Sequence, residues 1–262
     1  MEFLAQLEAL ANTEIADSSK RFFKTGPGQY GEGDLFLGIR VPVLHALSRQ
    51  GVTLNLGELQ ILLDSKWHEA RLLGLMILVL QFEKQLKKSP VEAKVFLDFY
   101  LKNTTRINNW DLVDGSAPYI VGPYLLQSGE SRAILYHLAK SPLLWERRIA
   151  VLGTFAFIRV NDYADIFKLC ELLMEDKEDL MHKAMGWMLR EVGKRSEESL
   201  KVFLEKNSRH MPRTMLRYSV ERLTKEERSY FLTDTENANC PTQLPTGHTQ
   251  GNLRRAASSQ GG

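Results

Sequence analysis

The chain has 262 residues, of which 44% are hydrophobic and 25% are charged, and its formal net charge is +2. This composition is ordinary for a soluble globular protein with one substantial core. The longest apolar run, residues 72–80, is far shorter than the roughly 20 residues that cross a bilayer, and no secretory signal opens the chain. We therefore expect a cytoplasmic protein with no membrane partner.

Apolar residues recur with helical spacing along most of the chain, and no convincing set of alternating strands appears. The fold class is therefore predicted to be all-α. Pro42, Pro90, Pro142 and Pro212 fall where first helical turns would begin, which suits a residue without an N–H. The predicted helices span residues 2–12, 14–24, 41–50, 57–65, 67–83, 90–102, 110–126, 130–140, 143–159, 162–175, 178–194, 197–207, 211–222 and 224–232.

The segment from Gly26 to Gly38 is predicted to be a loop, because its five glycines cannot continue a helix cheaply. Its beginning, residues 26–31, fits the GxGxxG pattern of dinucleotide-binding turns. That turn requires a preceding strand, whereas a helical run precedes this one. We therefore interpret the segment as a flexible loop in which Lys24 and Tyr30 are placed to touch a ligand.

A faint repeat joins the segments Trp67–Leu73 and Leu144–Ala150, which correspond when Glu69 is laid on Glu146 and Arg71 on Arg148. A similar helix begins near Leu180. Two repeats of roughly 40 residues would cover the shift, and such periods are typical of HEAT and armadillo repeats, which stack into curved solenoids. Chance similarity among amphipathic helices is the alternative. We predict an α-α superhelix of degenerate HEAT-like repeats over residues 1–232, forming a curved solenoid with a concave basic groove.

The charge distribution and the cysteines indicate which partners and cofactors to expect. Residues 181–228 carry 12 Lys plus Arg against 7 Asp plus Glu, an excess of +5. This predicts one basic side, although charge runs usually form solvated helix faces. The two cysteines lie in unrelated surroundings without a metal-binding pattern, so we expect neither metal nor cofactor. Residues 233–262 have few apolar anchors and are predicted to form a disordered tail.

The run from Asn108 to Asp114 is the most informative part of the sequence. A helix there would place Trp110 and Asp114 one turn apart on one face. Asp114 has apolar neighbours, so it is predicted to be a buried ion-pair partner of Arg148, a working group, or both. Asp111 points elsewhere and is expected to cap the first turn of the helix.

A second tryptophan, Trp187, has Lys183 one turn before it and Arg190 one turn after it. For Trp110 and Trp187, a ligand-facing role and core packing both stay open, whereas Trp67 and Trp145 are expected to pack in the core. If these faces converge, cations would hold phosphates and indoles would stack on sugars or bases. The pattern indicates chemistry on a nucleic acid.

Several segments in order resemble the AlkD-type DNA alkylation repair enzymes, which are HEAT-like DNA glycosylases. The similarity covers roughly residues 15–232 and rests on Phe36–Pro42, Trp110–Asp114, Trp145–Arg148 and Lys183–Glu191. It implies hydrolysis of the N-glycosidic bond of positively charged N3- and N7-alkylated purines, such as 3-methyladenine and 7-methylguanine. It also implies that duplex DNA lies in the concave face.

The resemblance also implies roles for individual residues. The positions that match the family's catalytic motif are Trp110, Asp114, Arg148 and Trp187. The expected DNA-binding cations are Arg147, Arg148, Arg159, Lys183, Arg190, Arg213 and Arg217. Two departures are Phe22, where the family has a tyrosine, and Ala156, where it has a lysine that contacts the DNA backbone; Arg159 lies nearby as a substitute.

The residues leave one main alternative to an enzyme. A helical-repeat adaptor could bind DNA structures or an acidic protein segment in the same groove without catalysis. The two hypotheses differ in whether alkylated bases are released. In either case we expect a monomer, because a curved solenoid can clamp DNA alone.

Overall fold

The computed structural model describes residues 2–234. Within that range all regular elements are helices, apart from one isolated bridge between Leu35 and Trp67, which confirms the all-α prediction. The α-helices are α1 (Glu2–Ala9), α2 (Thr13–Phe22), α3 (Val41–Gln50), α4 (Leu56–Leu63), α5 (His68–Leu86), α6 (Pro90–Lys102), α7 (Trp110–Asp114), α8 (Ala117–Ser128), α9 (Ala133–Ala139), α10 (Leu144–Gly153), α11 (Phe155–Ile158), α12 (Ala164–Leu172), α13 (Asp179–Gly193), α14 (Glu197–Asn207), α15 (Arg213–Ser219) and α16 (Lys225–Asp234). Short 3-10 helices cover Gly51–Thr53 and Thr104–Arg106.

Two helices that the sequence predicts as continuous are each broken. The predicted helix 110–126 divides into α7 and α8, with Gly115 and Ser116 between them. Pro118 explains the break, since it has no N–H to donate to the carbonyl of Asp114. The predicted helix 143–159 divides at Thr154, whose hydroxyl donates to the carbonyl of Val151. Both breaks shorten helices that carry predicted site residues, namely α7 and α10.

The helices repeat along the chain. One series consists of α5, α7, α10, α13 and α15, whose starts are spaced as two-helix repeats require. Each contacts the next one of this series: α5 contacts α7, α7 contacts α10, α10 contacts α13, and α13 contacts α15. The architecture is therefore an all-α helical-repeat solenoid, as the period in the sequence predicts.

Hydrogen bonds at the starts of α5, α10 and α13 fix the register of this repeat. In each, an oxygen two positions before the N-cap residue accepts its N–H; the pairs are Ser65 with Trp67, Ser141 with Leu143, and Asp176 with Glu178. Arg71, Arg147 and His182 each donate to the carbonyl six positions upstream. Arg71 is therefore equivalent to Arg147. The sequence alignment, which laid Arg71 on Arg148, was wrong by one position.

The interior is one continuous apolar cluster that reaches from Leu7 in α1 to Phe231 in α16. The segment 36–39 is tied to it by Glu69, a buried carboxylate that accepts the N–H groups of Leu37, Gly38 and Ile39. No described helix is both long and apolar enough to cross a bilayer. Of the predicted tail, residues 233 and 234 finish α16, and the remainder lies outside the described residues.

Candidate active site

The short helix α7 carries two of the predicted site residues. Asn109 caps it, with its side-chain oxygen accepting the N–H of Trp110, and the helix has only five residues. Trp110 is the first of them and Asp114 is the last. This separation of one turn places the two side chains on one helical face, as the sequence predicts.

Asp114 forms a two-point ion pair with Arg148 in the middle of α10. Arg148 Nε donates to Asp114 Oδ1 and Arg148 Nη2 donates to Oδ2, each at 2.8 Å. The side chain of Asp114 is 20% exposed and that of Arg148 is 5% exposed. A bidentate pair fixes the plane of the carboxylate as well as its position. The predicted ion pair is present, and one part of the carboxylate still faces outward.

Burial and pairing act in opposite directions on Asp114. Burial raises its pKa, and the hydrogen bond and charge of Arg148 lower it. The negative charge of Asp111 on the same helix raises it further. The net effect is a pKa above the ordinary value of an aspartate. Asp114 is therefore a desolvated carboxylate that Arg148 holds in place.

The third nitrogen of Arg148 is also used inside the protein. Its Nη1 donates to the carbonyl of Leu180 in α13, at 2.5 Å. All three guanidinium nitrogens thus have internal partners. The sequence hypothesis gave Arg148 a phosphate to grip, whereas the geometry favours a role in positioning Asp114 and joining α7 to α13.

Trp110 is partly buried and lies in an aromatic cluster. Its ring stacks on Phe23, with ring centres 5.4 Å apart, and Phe22 approaches its edge at 5.9 Å. Phe23 in turn packs on Phe36 and on the imidazole of His68. Phe22, an expected departure from the family pattern, is 65% exposed beside Trp110.

Behind this cluster lies a buried polar network that the sequence did not reveal. His68 Nε2 contacts Asp111 Oδ2 at 2.8 Å, and His68 Nδ1 contacts Asp34 Oδ2 at 3.2 Å. Asp34 also accepts hydrogen bonds from Arg71 and Asn109. These partners are separated by 34 to 75 positions in sequence. Only the position of His68 at the start of a repeat helix could have drawn attention to it.

Trp187 lies on α13, two turns beyond Leu180, whose carbonyl binds Arg148. The indole is partly buried, packs against the core and donates to Glu191 at 3.1 Å. The structure places Trp187 on the same helical face as Leu180 and Lys183. Its hydrogen bond is to its own helix, and its ring packs against the core.

The repeat register brings four of the predicted site residues into one row. The fifth residues of α7, α10, α13 and α15 are Asp114, Arg148, Lys183 and Arg217. The equivalent residue of α5 is the buried Leu72. Because consecutive helices of this series contact each other, the row crosses four neighbouring repeats. It begins with the carboxylate and continues with cations.

An open cavity of about 490 Å³ lies at the far end of this row, between α13, α15 and α16. Lys183, Arg217 and Arg228 line it, together with Asp179 and Glu221. Asp179 pairs with Lys183, and its hydrogen bond is the main reason that the pKa of Lys183 is raised. Arg228 was not among the expected DNA-binding residues, because its place on α16 has no obvious pattern.

The remaining predicted cations differ in their surroundings. Arg147 is largely buried, pairs with Asp176 and donates to two backbone carbonyls. Arg190 pairs with Glu221. Arg159 is exposed, and so is Arg213, which donates to the carbonyl of Leu232. Arg147 is therefore a structural residue in this geometry, whereas the others lie at the surface or near it.

The glycine-rich loop reaches this region through Tyr30, and a ligand contact of Tyr30 or Lys24 stays a prediction. The phenol ring of Tyr30 packs edge-on against Trp145, with centres 6.3 Å apart, and contributes to the raised pKa of Lys183. Trp145 is partly buried, as expected of a packing residue. Ala156, the second departure, is 7% exposed and faces Gly122 in α8.

Among the described residues, no group of three or more His, Cys, Asp or Glu side chains is arranged to hold a metal ion. Cys170 is buried, and burial raises the pKa of its thiol. A thiol in that state is a poor nucleophile.

Comparisons with known proteins bear on the family and the fold. A family model described as "DNA alkylation repair enzyme" matches residues 3–223. One similar solved structure is a predicted DNA alkylation repair enzyme from Enterococcus faecalis, with a TM-score of 0.65 and 18% sequence identity. That similarity covers 82% of this chain and 97% of the other, and at this identity it shows the fold. The comparison with curated proteins gives no match.

Proposed function

The chain belongs to the DNA alkylation repair enzyme family, and from that premise we propose that it is a DNA glycosylase. It would hydrolyse the N-glycosidic bond of positively charged N3- and N7-alkylpurines, such as 3-methyladenine and 7-methylguanine, in duplex DNA. The observation that carries the proposal is the partly exposed Asp114 carboxylate, which Arg148 holds at two points beside Trp110.

The substrate explains why one carboxylate is enough. An N-alkylated purine already bears a positive charge, so its bond to the sugar breaks without protonation by a general acid. As the bond lengthens, positive charge moves to the deoxyribose, as in glycoside hydrolysis. A fixed carboxylate in a dry site stabilises that charge by several kcal/mol at most, roughly 3 to 4 for one well-aimed group. Asp114 also positions the attacking water.

The ion pair with Arg148 suits Asp114 to this task. The carboxylate must be ionised to stabilise a cation, and burial works against ionisation. The guanidinium opposes that effect and fixes the direction of the carboxylate. Because the pKa of Asp114 remains above the usual value, the rate should fall on acidification from a higher pH than an ordinary aspartate would give.

DNA would be held by the cations that follow Asp114 in the repeat row. Lys183 and Arg217 lie in this row, and Arg228 joins them at the cavity. Trp110 would pack on the sugar near Asp114, and Trp187 would extend the surface along α13. For each tryptophan, the attraction between its indole and the developing cation is worth about 0.5 to 2 kcal/mol.

A base-release assay tests the proposal. The protein is incubated with methylated duplex DNA, and free 7-methylguanine and abasic sites are measured in single turnover. Asp114→Asn keeps the shape and one acceptor for Arg148, so it should fold and bind DNA but excise about 100- to 1,000-fold more slowly.

The matched control is Asp98→Asn, which changes an exposed aspartate on α6 that pairs with Lys94. It should leave the rate unchanged. Full activity in Asp114→Asn would contradict the role of this carboxylate. Release of neither product by the wild-type protein, with tight DNA binding, would instead support the helical-repeat adaptor.

A further inference from the structure

His68 is a buried titratable residue to which the mechanism above assigns no role. Its side chain is 2% exposed, and each ring nitrogen contacts a different carboxylate, Asp34 on one side and Asp111 on the other. Its ring also stacks on Phe36, with centres 4.6 Å apart, and packs on Phe23 at 5.0 Å. Such a complete set of partners fixes the imidazole in one orientation.

Through these contacts His68 touches both supports of α7. Asp111 is the residue after Trp110, and Phe23 is the ring on which Trp110 stacks. A helix as short as α7 has too few internal hydrogen bonds to hold its own orientation. The direction in which α7 presents Trp110 and Asp114 therefore depends on contacts from outside it, and His68 supplies one at its first turn.

The charge of His68 has a second effect on the site. Burial alone would lower its pKa, but the hydrogen bonds and charges of Asp111 and Asp34 outweigh burial and raise the pKa to about 9. The ring is therefore an imidazolium at neutral pH. Its positive charge lies 2.8 Å from Asp111, the same carboxylate that raises the pKa of Asp114.

We propose that His68 is a positioning residue for excision: through Asp111 it fixes the orientation of α7, and its charge offsets that of Asp111 beside Asp114. This inference rests on the proposed glycosylase function. It adds a residue that acts on the reaction through its neighbours and touches neither the sugar nor the base.

Charged groups from every neighbouring element enter this balance. His68 on α5 is faced by Asp34 in the loop before α3, by Asp111 on α7, and by Arg71 through Asp34. Asp114 is faced by Arg148 on α10 and by Tyr100 on α6, whose pKa is raised mainly by burial and further by the charge of Asp114. Apart from His68 and Asp111, these groups stay unchanged in the two test variants below.

Two substitutions separate charge from shape. His68→Gln keeps a donor toward Asp111 but removes the positive charge, and Asp111→Asn keeps the shape of the side chain but removes the negative charge. The first should move the titration midpoint of Asp114 up by about half a pH unit or more, and the second should move it down. His45→Gln, which changes an exposed histidine on α3, is the control and should leave the midpoint in place.

The midpoint is measured as the carbon-13 shift of the Asp114 carboxyl carbon against pH, in protein labelled on aspartate. The signal is assigned by its loss in Asp114→Asn. The single-turnover excision rate against pH should show the same two displacements of its acid limb. His68→Gln should also lower the plateau rate while its DNA affinity stays within about twofold of the wild-type value, because α7 is then aimed less well.

The proposal is supported if the titration midpoint of Asp114 rises in His68→Gln and falls in Asp111→Asn. An unmoved midpoint in folded His68→Gln overturns it. Should thermal melting show that His68→Gln does not fold, Asp111→Asn decides alone, and an unmoved midpoint there overturns the proposal. The carboxyl titration does not depend on catalysis. A wild-type protein that excises nothing but shows both shifts would refute the glycosylase function while leaving the charge coupling intact.

Discussion

Arg148 shows how a single residue can be held in the interior while its sequence neighbours suggest a ligand contact. Its three nitrogens bind Asp114 and the carbonyl of Leu180, and 5% of its side chain is exposed. A guanidinium in that state has little left to offer a phosphate. It holds the Asp114 carboxylate and connects α7, α10 and α13.

Arg148→Ala tests that interpretation. Removing one partner of a buried ion pair leaves the other uncompensated, and we expect a loss of about 3 to 5 kcal/mol in the free energy of unfolding. Excision should fall at least as far as in Asp114→Asn, because the pKa of Asp114 rises and its direction is no longer fixed. The dependence of DNA affinity on salt should stay at the wild-type slope. Chemical denaturation, the base-release assay and a salt titration measure the three quantities.

Arg217→Ala is the matched comparison, since Arg217 occupies the same repeat position on α15 but is exposed. It should leave the free energy of unfolding nearly unchanged and reduce the salt slope by about one. If Arg148→Ala gave that pattern instead, the phosphate contact expected from the sequence would be correct.

At this scale the sequence predicts the face shared by Trp110 and Asp114 and the pair of Asp114 with Arg148, but it misses the network around His68. Trp110 and Asp114 are one helical turn apart, and the apolar neighbours of Asp114 indicate a buried pair, so their relation could be predicted. The contacts of His68 with Asp34 and Asp111 join residues 34 and 43 positions apart, across three different elements. Periodicity carries no information about such contacts.

Among the elements, the contact between α13 and α15 decides where Trp187 and the cations of the row lie. Gly186 makes it close: a Cβ atom there would stand 2.5 Å from Tyr218 Cβ and 2.6 Å from the carbonyl oxygen of Met215. The obstacle includes backbone, which cannot rotate away. The two helices can therefore pack this closely only because Gly186 has no side chain.

Gly186→Ala should force α13 and α15 apart. We expect a loss of about 1 to 3 kcal/mol in the free energy of unfolding, as for other overpacked interiors, although alanine favours helix. Gly57→Ala at the exposed second position of α4 is the control: its Cβ would stand 3.1 Å from Asn55 Oδ1, the oxygen that caps the helix, and the substitution should change stability by less than about 1 kcal/mol. Equal stability changes in the two variants, measured by denaturant unfolding, would contradict the packing argument.

Helix boundaries and register show what a pattern of apolar residues can predict. The positions of the helices follow from periodicity, whereas the break between α7 and α8 depends on the single missing N–H of Pro118. The repeat register predicted from the sequence was one position off, because the alignment matched Glu69 with Glu146 on residue type alone. Glu69 binds the N–H groups of the segment 37–39, whereas Glu146 accepts the hydroxyl of Thr104, so their roles differ.

Over the whole molecule, net charge hides the arrangement of the cations. The chain carries only +2, and several cations of the basic stretch are paired with acids of their own or neighbouring helices. What the fold adds is order: contacting repeat helices place Arg148, Lys183 and Arg217 in equivalent positions. The sequence predicted a basic side from a count, but the count could not say which cations form a row, since that follows from the register.

A salt titration of DNA binding tests this row. Replacing Lys183 and Arg217 by Gln, together with Arg228 beside them in the cavity, removes three charges from one surface. If each contacts a phosphate, the slope of log affinity against log salt should become shallower by about 2 to 3 in the triple variant, and by about 0.9 in each single one. Replacing Lys87, Lys88 and Lys102, which are exposed at the ends of α5 and α6, removes the same charge and should leave the slope within about 0.5 of the wild-type value. Both triple variants have the same net charge, so a difference between their salt slopes shows which surface contacts the duplex. Equal slopes would mean that DNA binds another surface.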